Sequence, residues 1–101
     1  MSDSTYYMIE VYLPWPIPEA HLLEELKKEW SRGFGGTTIY PAEGTYIGEQ
    51  PEKVWVLRVY VPSKLSREET IGYFKTRREE LERRFNQKCV LVTFSEGHRF
   101  L

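Results

Sequence analysis

The residues best suited to chemistry in this 101-residue chain cluster in one short turn, Arg32-Gly33-Phe34-Gly35-Gly36-Thr37-Thr38. Consecutive glycines let backbone N–H groups converge on an anion, and Arg32 with the hydroxyls of Thr37 and Thr38 adds further donors. The turn follows a predicted helix and does not open one. It therefore lacks the helix N-terminal field that a P-loop or dinucleotide fingerprint uses. Read structurally, the same letters are a helix C-cap followed by a close-packed strand start.

Two arginines on the second predicted helix are candidates to reach a ligand at that turn. With Ile71, Phe74, Leu81 and Phe85 as the buried stripe, 100° per residue puts Arg78 within the stripe and Arg77 at its edge. Each either snorkels past the sheet or aims its planar fork at a phosphate, a carboxylate or a partner subunit. Tyr46, of the glycine–aromatic pair Gly44-x-Tyr46, is taken with them. The candidate ligand-binding set is thus Arg32, Phe34, Gly35, Gly36, Thr37, Thr38, Tyr46, Arg77 and Arg78.

Catalytic groups are harder to assemble. His21 and His98 have no second ligand at metal spacing, and Cys89 is alone, so no disulfide or cysteine-rich metal site is expected. Glu10 and Glu43 read as isolated carboxylates with nothing in the sequence to pair them. No Ser or Cys stands in a nucleophile elbow or catalytic-cysteine setting. Neither a catalytic residue nor a cofactor is expected from these residues.

The segments that must position these groups read clearly. Tyr6 to Leu13 alternates as a strand, with Tyr7, Ile9, Val11 and Leu13 on one face. Pro14-Trp15-Pro16-Ile17-Pro18 stops it. A helix runs from about Pro18 to Ser31, with Leu22, Leu23, Leu26 and Trp30 as its stripe. Thr37–Tyr40 is a strand that Pro41-Ala42-Glu43-Gly44 breaks or bulges before Thr45–Ile47. After a hairpin loop, Val54–Val61 is the most β-rich stretch, ended by Pro62. Ser66-Arg67-Glu68-Glu69 is a capping box for a helix reaching Asn86. Cys89–Phe94 is the last strand, and Gly97 turns the chain into a tail.

The order β-α-β-β-α-β predicts one α+β domain, a ferredoxin-like split βαβ sandwich with a four-stranded antiparallel sheet and two helices on one face. The core spans residues 6–94 and the tail 95–101. Tyr6, Met8 and Tyr12 share the face away from the helices, and Val54, Val56, Arg58 and Tyr60 lie on one face of the third strand. Both sheet faces are then substantially apolar, which predicts a homo-oligomer.

Composition narrows the function. The net charge is −1, and 15% of residues are aromatic, more than so small a core can hold. Net charge runs from −4 over residues 1–31 to 0 over 32–62 and +3 over 63–101, so the last third suits an anion contact. Arg32-Gly33-Phe34-Gly35 opens like an RNA-binding RNP1 motif. It has Gly36 where an aromatic is wanted, however, and precedes the second strand where RNP1 belongs on the third. Nucleic acid is therefore not the expected partner. With no signal peptide and no membrane-length apolar run, a cytoplasmic location is expected.

Phe34-Gly35-Gly36-x-Thr38, then Gly44-x-Tyr46, a β-rich strand, and Arg84-Phe85-x-Gln87 before Val90 resemble a set of small uncharacterised bacterial and phage proteins. The resemblance runs from Tyr7 to Phe94. Members usually carry Trp where this chain has Tyr46, and a longer acidic loop in place of Gly48 to Lys53. It implies the ferredoxin-like fold and the turn, and no reaction.

These readings favour a non-enzymatic oligomeric protein that binds a small anionic or nucleotide-like ligand. In its sharpest form it is a phage-type protein sequestering a host nucleotide signal. The alternatives are a small dimeric α+β barrel enzyme, with an apolar pocket lined by Trp and Tyr, and a protein–protein interaction module.

Overall fold

A computed structural model describes residues 3–15, 21–44, 52–62, 65–85 and 90–100. Its elements are β1 (Asp3–Pro14), α1 (Leu22–Phe34), β2 (Thr37–Gly44), β3 (Glu52–Pro62), α2 (Arg67–Phe85) and β4 (Leu91–Phe100). The strands form one antiparallel sheet in the order β2-β3-β1-β4. Both helices pack on one face, giving the ferredoxin-like sandwich.

Period-2 alternation builds the layer between sheet and helices. Ile9, Val11 and Leu13 of β1 and Leu57, Val59 and Val61 of β3 point the same way. They meet Leu22, Leu26 and Trp30 of α1 and Phe74, Leu81 and Phe85 of α2. Trp30 is fully buried, tilts against Phe74 at 5.5 Å, and donates its indole N–H to the Tyr73 hydroxyl at 3.1 Å. That bond satisfies the one polar atom of the largest core side chain.

The helix ends follow from their residues. Ser66 Oγ accepts the Glu69 backbone N–H at 3.3 Å, the N-cap half of the expected capping box. At the other crossover, Gly35 adopts φ 97° and returns its N–H to the Ser31 carbonyl at 3.0 Å. Helix α1 ends there because only glycine takes that left-handed conformation at little cost.

Two boundaries differ from the sequence reading. Strand β2 runs unbroken through Pro41. Being an edge strand, it can hold a residue with no N–H on its solvent side. Strand β4 continues through Gly97 to Phe100 in place of turning into a tail. Gly97 lies opposite Tyr6, and a Cβ there would stand 2.6 Å from Tyr6 Cζ, so the glycine makes room for a ring. The proposed helix start at Pro18, the Thr45–Ile47 strand, Tyr46 and Cys89 lie outside the described residues.

Candidate functional site

The sheet face opposite the helices carries the chain's densest polar cluster among the described residues. Glu10 of β1 pairs across the strands with Arg58 of β3 on one side and Thr93 of β4 on the other. Thr38 of β2 pairs with Arg58 from the far edge. One residue row thus runs Thr38, Arg58, Glu10, Thr93 across all four strands. The next row holds Tyr40, Val56, Tyr12 and Leu91.

Glu10 gathers the donors. Its Oε2 accepts Arg58 Nη2 at 3.0 Å, Arg58 Nε at 3.2 Å and the Tyr40 hydroxyl at 2.9 Å. The Tyr40 oxygen in turn accepts Arg58 Nη2 at 3.0 Å, closing a three-membered network. Glu10 Oε1 has only the Tyr12 hydroxyl, at the long limit of 3.5 Å. The Arg58 guanidinium also lies over the Tyr40 ring, 5.3 Å from its centroid.

The ionisation states follow from this packing. Burial pushes the Glu10 carboxyl up, but hydrogen bonds from Arg58 and Tyr40 and the Arg58 charge outweigh it. The net result is a carboxyl held below its ordinary range. Hydrogen bonding to Glu10 raises the Arg58 guanidinium. Burial, then the Glu10 carboxylate, raises both Tyr12 and Tyr40, so the two phenols keep their protons. The centre is therefore an ionised acid and base with two neutral hydroxyls and no net charge.

Aromatic side chains surround that centre. Tyr6 meets Tyr60 edge-on at 5.2 Å, and Tyr60 and Leu91 are exposed on this face. Val56, between Tyr12 and Tyr40, is only 1% exposed. The open face is thus not uniformly apolar, as its alternation suggests, but a charged middle ringed by tyrosines.

The residues singled out by sequence are placed mostly elsewhere. Gly35 and Gly36 serve the α1 cap and the start of β2. Phe34 packs edge-on against Tyr73 and tilted on Phe74, which makes it a helix-to-helix contact. Arg32 is exposed in the last turn of α1. Arg77 pairs with Glu29 of α1 at 3.1 Å and with Glu80, and Arg78 reaches Glu82 at 3.7 Å. Arg77 is the less exposed of the two, reversing the order read from the helical wheel. Thr37 starts β2 on the helix side with its hydroxyl buried and unpartnered among the described residues. Only Thr38 joins the open-face row.

Sequence reasoning missed the Glu10–Arg58 pairing, although a signal exists. Each is the one charged residue within an otherwise uncharged strand, Tyr6–Leu13 and Val54–Val61. The charges are opposite. Two lone opposite charges on half-buried strands need each other once both strands enter one sheet. His21 stands exposed beside the start of α1, and Glu43 is exposed on the edge strand, so neither joins the cluster.

No protein-family model matches the chain, and no curated protein matches it by sequence. A solved structure matches in fold: a phage SAM lyase in complex with S-methyl-5'-thioadenosine, with a TM-score of 0.58 and 19% identity. The match covers 92% of this chain and 81% of that one. At that identity the likeness establishes the fold. It still corrects the expectation of a non-enzymatic binding protein, because this fold carries an enzyme in the matching structure. The lean away from catalysis rested in part on Glu10 having no partner in the sequence, and the structure gives it three.

Proposed function

We propose that the protein is an enzyme acting on a nucleoside-bearing sulfonium of the S-adenosylmethionine kind, with its site on the open sheet face. The observation that carries this reading is the Glu10–Arg58–Tyr40 network. It is a charge-balanced, partly buried centre on the face the helices leave free, in a fold shared with a lyase bound to a nucleoside thioether. The surrounding tyrosines offer π-faces for a purine, and the network offers fixed polar groups for the rest.

The chemistry such a site supports is cleavage by orientation. In an adenosyl sulfonium, breaking one carbon–sulfur bond sends the bonding pair to sulfur and leaves a neutral thioether. The carbon leaving sulfur is bonded in the same displacement by the substrate's own carboxylate oxygen, which closes a lactone, so the sulfonium and carboxylate charges cancel and neither a proton acceptor nor a co-reactant is needed. Glu10, already ionised and tied to Arg58, is a poor proton donor and a weak base. Its contribution, with Tyr12 and Tyr40, is to hold the substrate in a reactive geometry. Self-association across the face bearing Tyr60 and Leu91 would exclude water from that geometry. Light scattering against protein concentration tests this association.

Incubation with S-adenosylmethionine, followed by chromatographic quantitation of S-methyl-5'-thioadenosine, tests the reaction. Wild type is expected to release the thioether above the buffer rate. Arg58→Gln is expected to lower that rate by about 10²-fold, as misplacement of a bound substrate does. Glu43→Gln, on the exposed edge, is expected to leave it unchanged. Release no faster than buffer by well-folded wild type overturns the reading.

A further inference from the structure

We infer that the Glu10–Arg58 pair is the recognition element for the α-amino acid head of the substrate, with ammonium at Glu10 and carboxylate at Arg58. The inference rests on the open-face site proposed above and adds which part of the substrate these two residues read. It starts from how unevenly the pair uses its atoms. Three of the four hydrogen bonds to Glu10 fall on Oε2, and Oε1 keeps only the 3.5 Å approach of Tyr12. Arg58 spends Nε and Nη2 on Glu10 and Tyr40, and Tyr60 is a further hydrogen-bond partner of its guanidinium. One carboxylate oxygen is thus lightly used, and beside it stands an arginine whose only charged partner among the described residues is Glu10, its other partners being the neutral phenols Tyr40 and Tyr60, on a face without helices.

Charge selects among ligands. A lone acid would favour any cation, and a lone arginine any anion. Here the two compensate each other, so a simple ion of either sign meets one attraction and one repulsion at close range. A zwitterion gains from both at once. An α-amino acid carries its ammonium and carboxylate on one carbon, and so offers opposite charges a short distance apart to opposite charges held side by side. The geometry of the pair is fixed before binding by Tyr40, which donates to Glu10 and accepts from Arg58, so little ordering is needed when ligand arrives. Side-chain exposures of 14% for Glu10 and 33% for Arg58 leave the pair reachable yet shielded enough for its charges to count.

Two thioadenosine ligands that differ in this head provide the test by isothermal titration. S-adenosylhomocysteine carries the amino acid, and S-methyl-5'-thioadenosine lacks it. Wild type is expected to bind the first at least tenfold more tightly. Arg58→Gln and Glu10→Gln are each expected to cut that preference below twofold while leaving thioether affinity unchanged. Arg58→Lys, which keeps the charge but loses the planar fork, is expected to retain part of it and serves if the others fold poorly. Equal wild-type affinities, or a preference that survives these variants, overturn the inference. L-Methionine separates it from the wider reading. If methionine binds and Arg58→Gln abolishes that binding while neither thioadenosine ligand binds, the head site stands and the nucleoside substrate falls. Binding by none of the three overturns both.

Discussion

Glu10 owes its ionisation to its neighbours, and that dependence fixes how pH acts on the fold. Its carboxyl is depressed below the ordinary 4.5 when folded and returns to that value when unfolded. The stabilisation is therefore fully present above about 4.5 and is lost as pH falls through the folded value. Charge-assisted bonds of this kind, discounted for the partial exposure of Arg58, are worth about 1–2 kcal/mol. Glu10→Gln is expected to lower stability by that amount at pH 7 and by much less at pH 3, measured by urea titration of both proteins. An equal loss at both pH values would mean the carboxylate charge plays no part. The individual residues were visible in the sequence, but their meeting was not. Glu10 faces Arg58 only because β1 and β3 pair in the register Tyr12↔Val56 and Met8↔Tyr60, and a slip of one residue would send Arg58 to the core face. Alternation marks faces, whereas register comes from the turns and from packing across the whole sheet.

At the scale of elements, the segment Gly33–Gly36 separates helix needs from site needs. Gly33 lies inside α1, and a methyl group added there meets nothing within 4 Å. Gly33→Ala, in the last turn, is therefore expected to stabilise the protein by about 0.4–1 kcal/mol, chiefly by restricting the unfolded chain. Two residues later the sign reverses. Gly35 has equally open surroundings but φ 97°, so Gly35→Ala is expected to cost about 1–2 kcal/mol through backbone strain alone. Denaturation midpoints of the two single variants check both, and a stabilising Gly35→Ala would remove the cap interpretation. The order of six elements was legible because their periodicities and stops are local properties. Arginine at 77 behaves differently from its wheel position because α1 supplies Glu29 and Tyr73 supplies a shared hydroxyl. Tyr73 donates to Glu29 and accepts from Trp30, and burial pushes its phenol up to about 12. Interhelical pairs of this sort (Arg84 with Glu25 is another) depend on which helix faces which, and no single-helix pattern contains that.

At the scale of the whole molecule, the long sheet outgrows its helical cover. The domain measures 44 × 27 × 23 Å, and β1 with 12 residues is longer in space than either helix. A chain of this size buries one layer well, and its described core is that single layer between sheet and helices. The opposite face then contributes less to folding and is free to carry function, which is where the charged row and the tyrosines sit. Among the described residues no helix is long and apolar enough to cross a membrane. A ligand on the open face adds its binding energy to a domain of modest size, so the effect on melting is large. Ligand at a hundredfold over its dissociation constant stabilises by about 2.7 kcal/mol. For a domain near 100 residues, each kcal/mol raises the melting temperature by about 4 °C or more. S-adenosylhomocysteine at that excess is therefore expected to raise the melting temperature of wild type by about 10 °C. Tyr40→Phe, which removes the hydroxyl bridging Glu10 and Arg58 but keeps the ring, is expected to reduce that shift at the same ligand concentration. A shift of the same size in Tyr40→Phe would place the ligand away from the network, and the sheet face would then have to be read as surface.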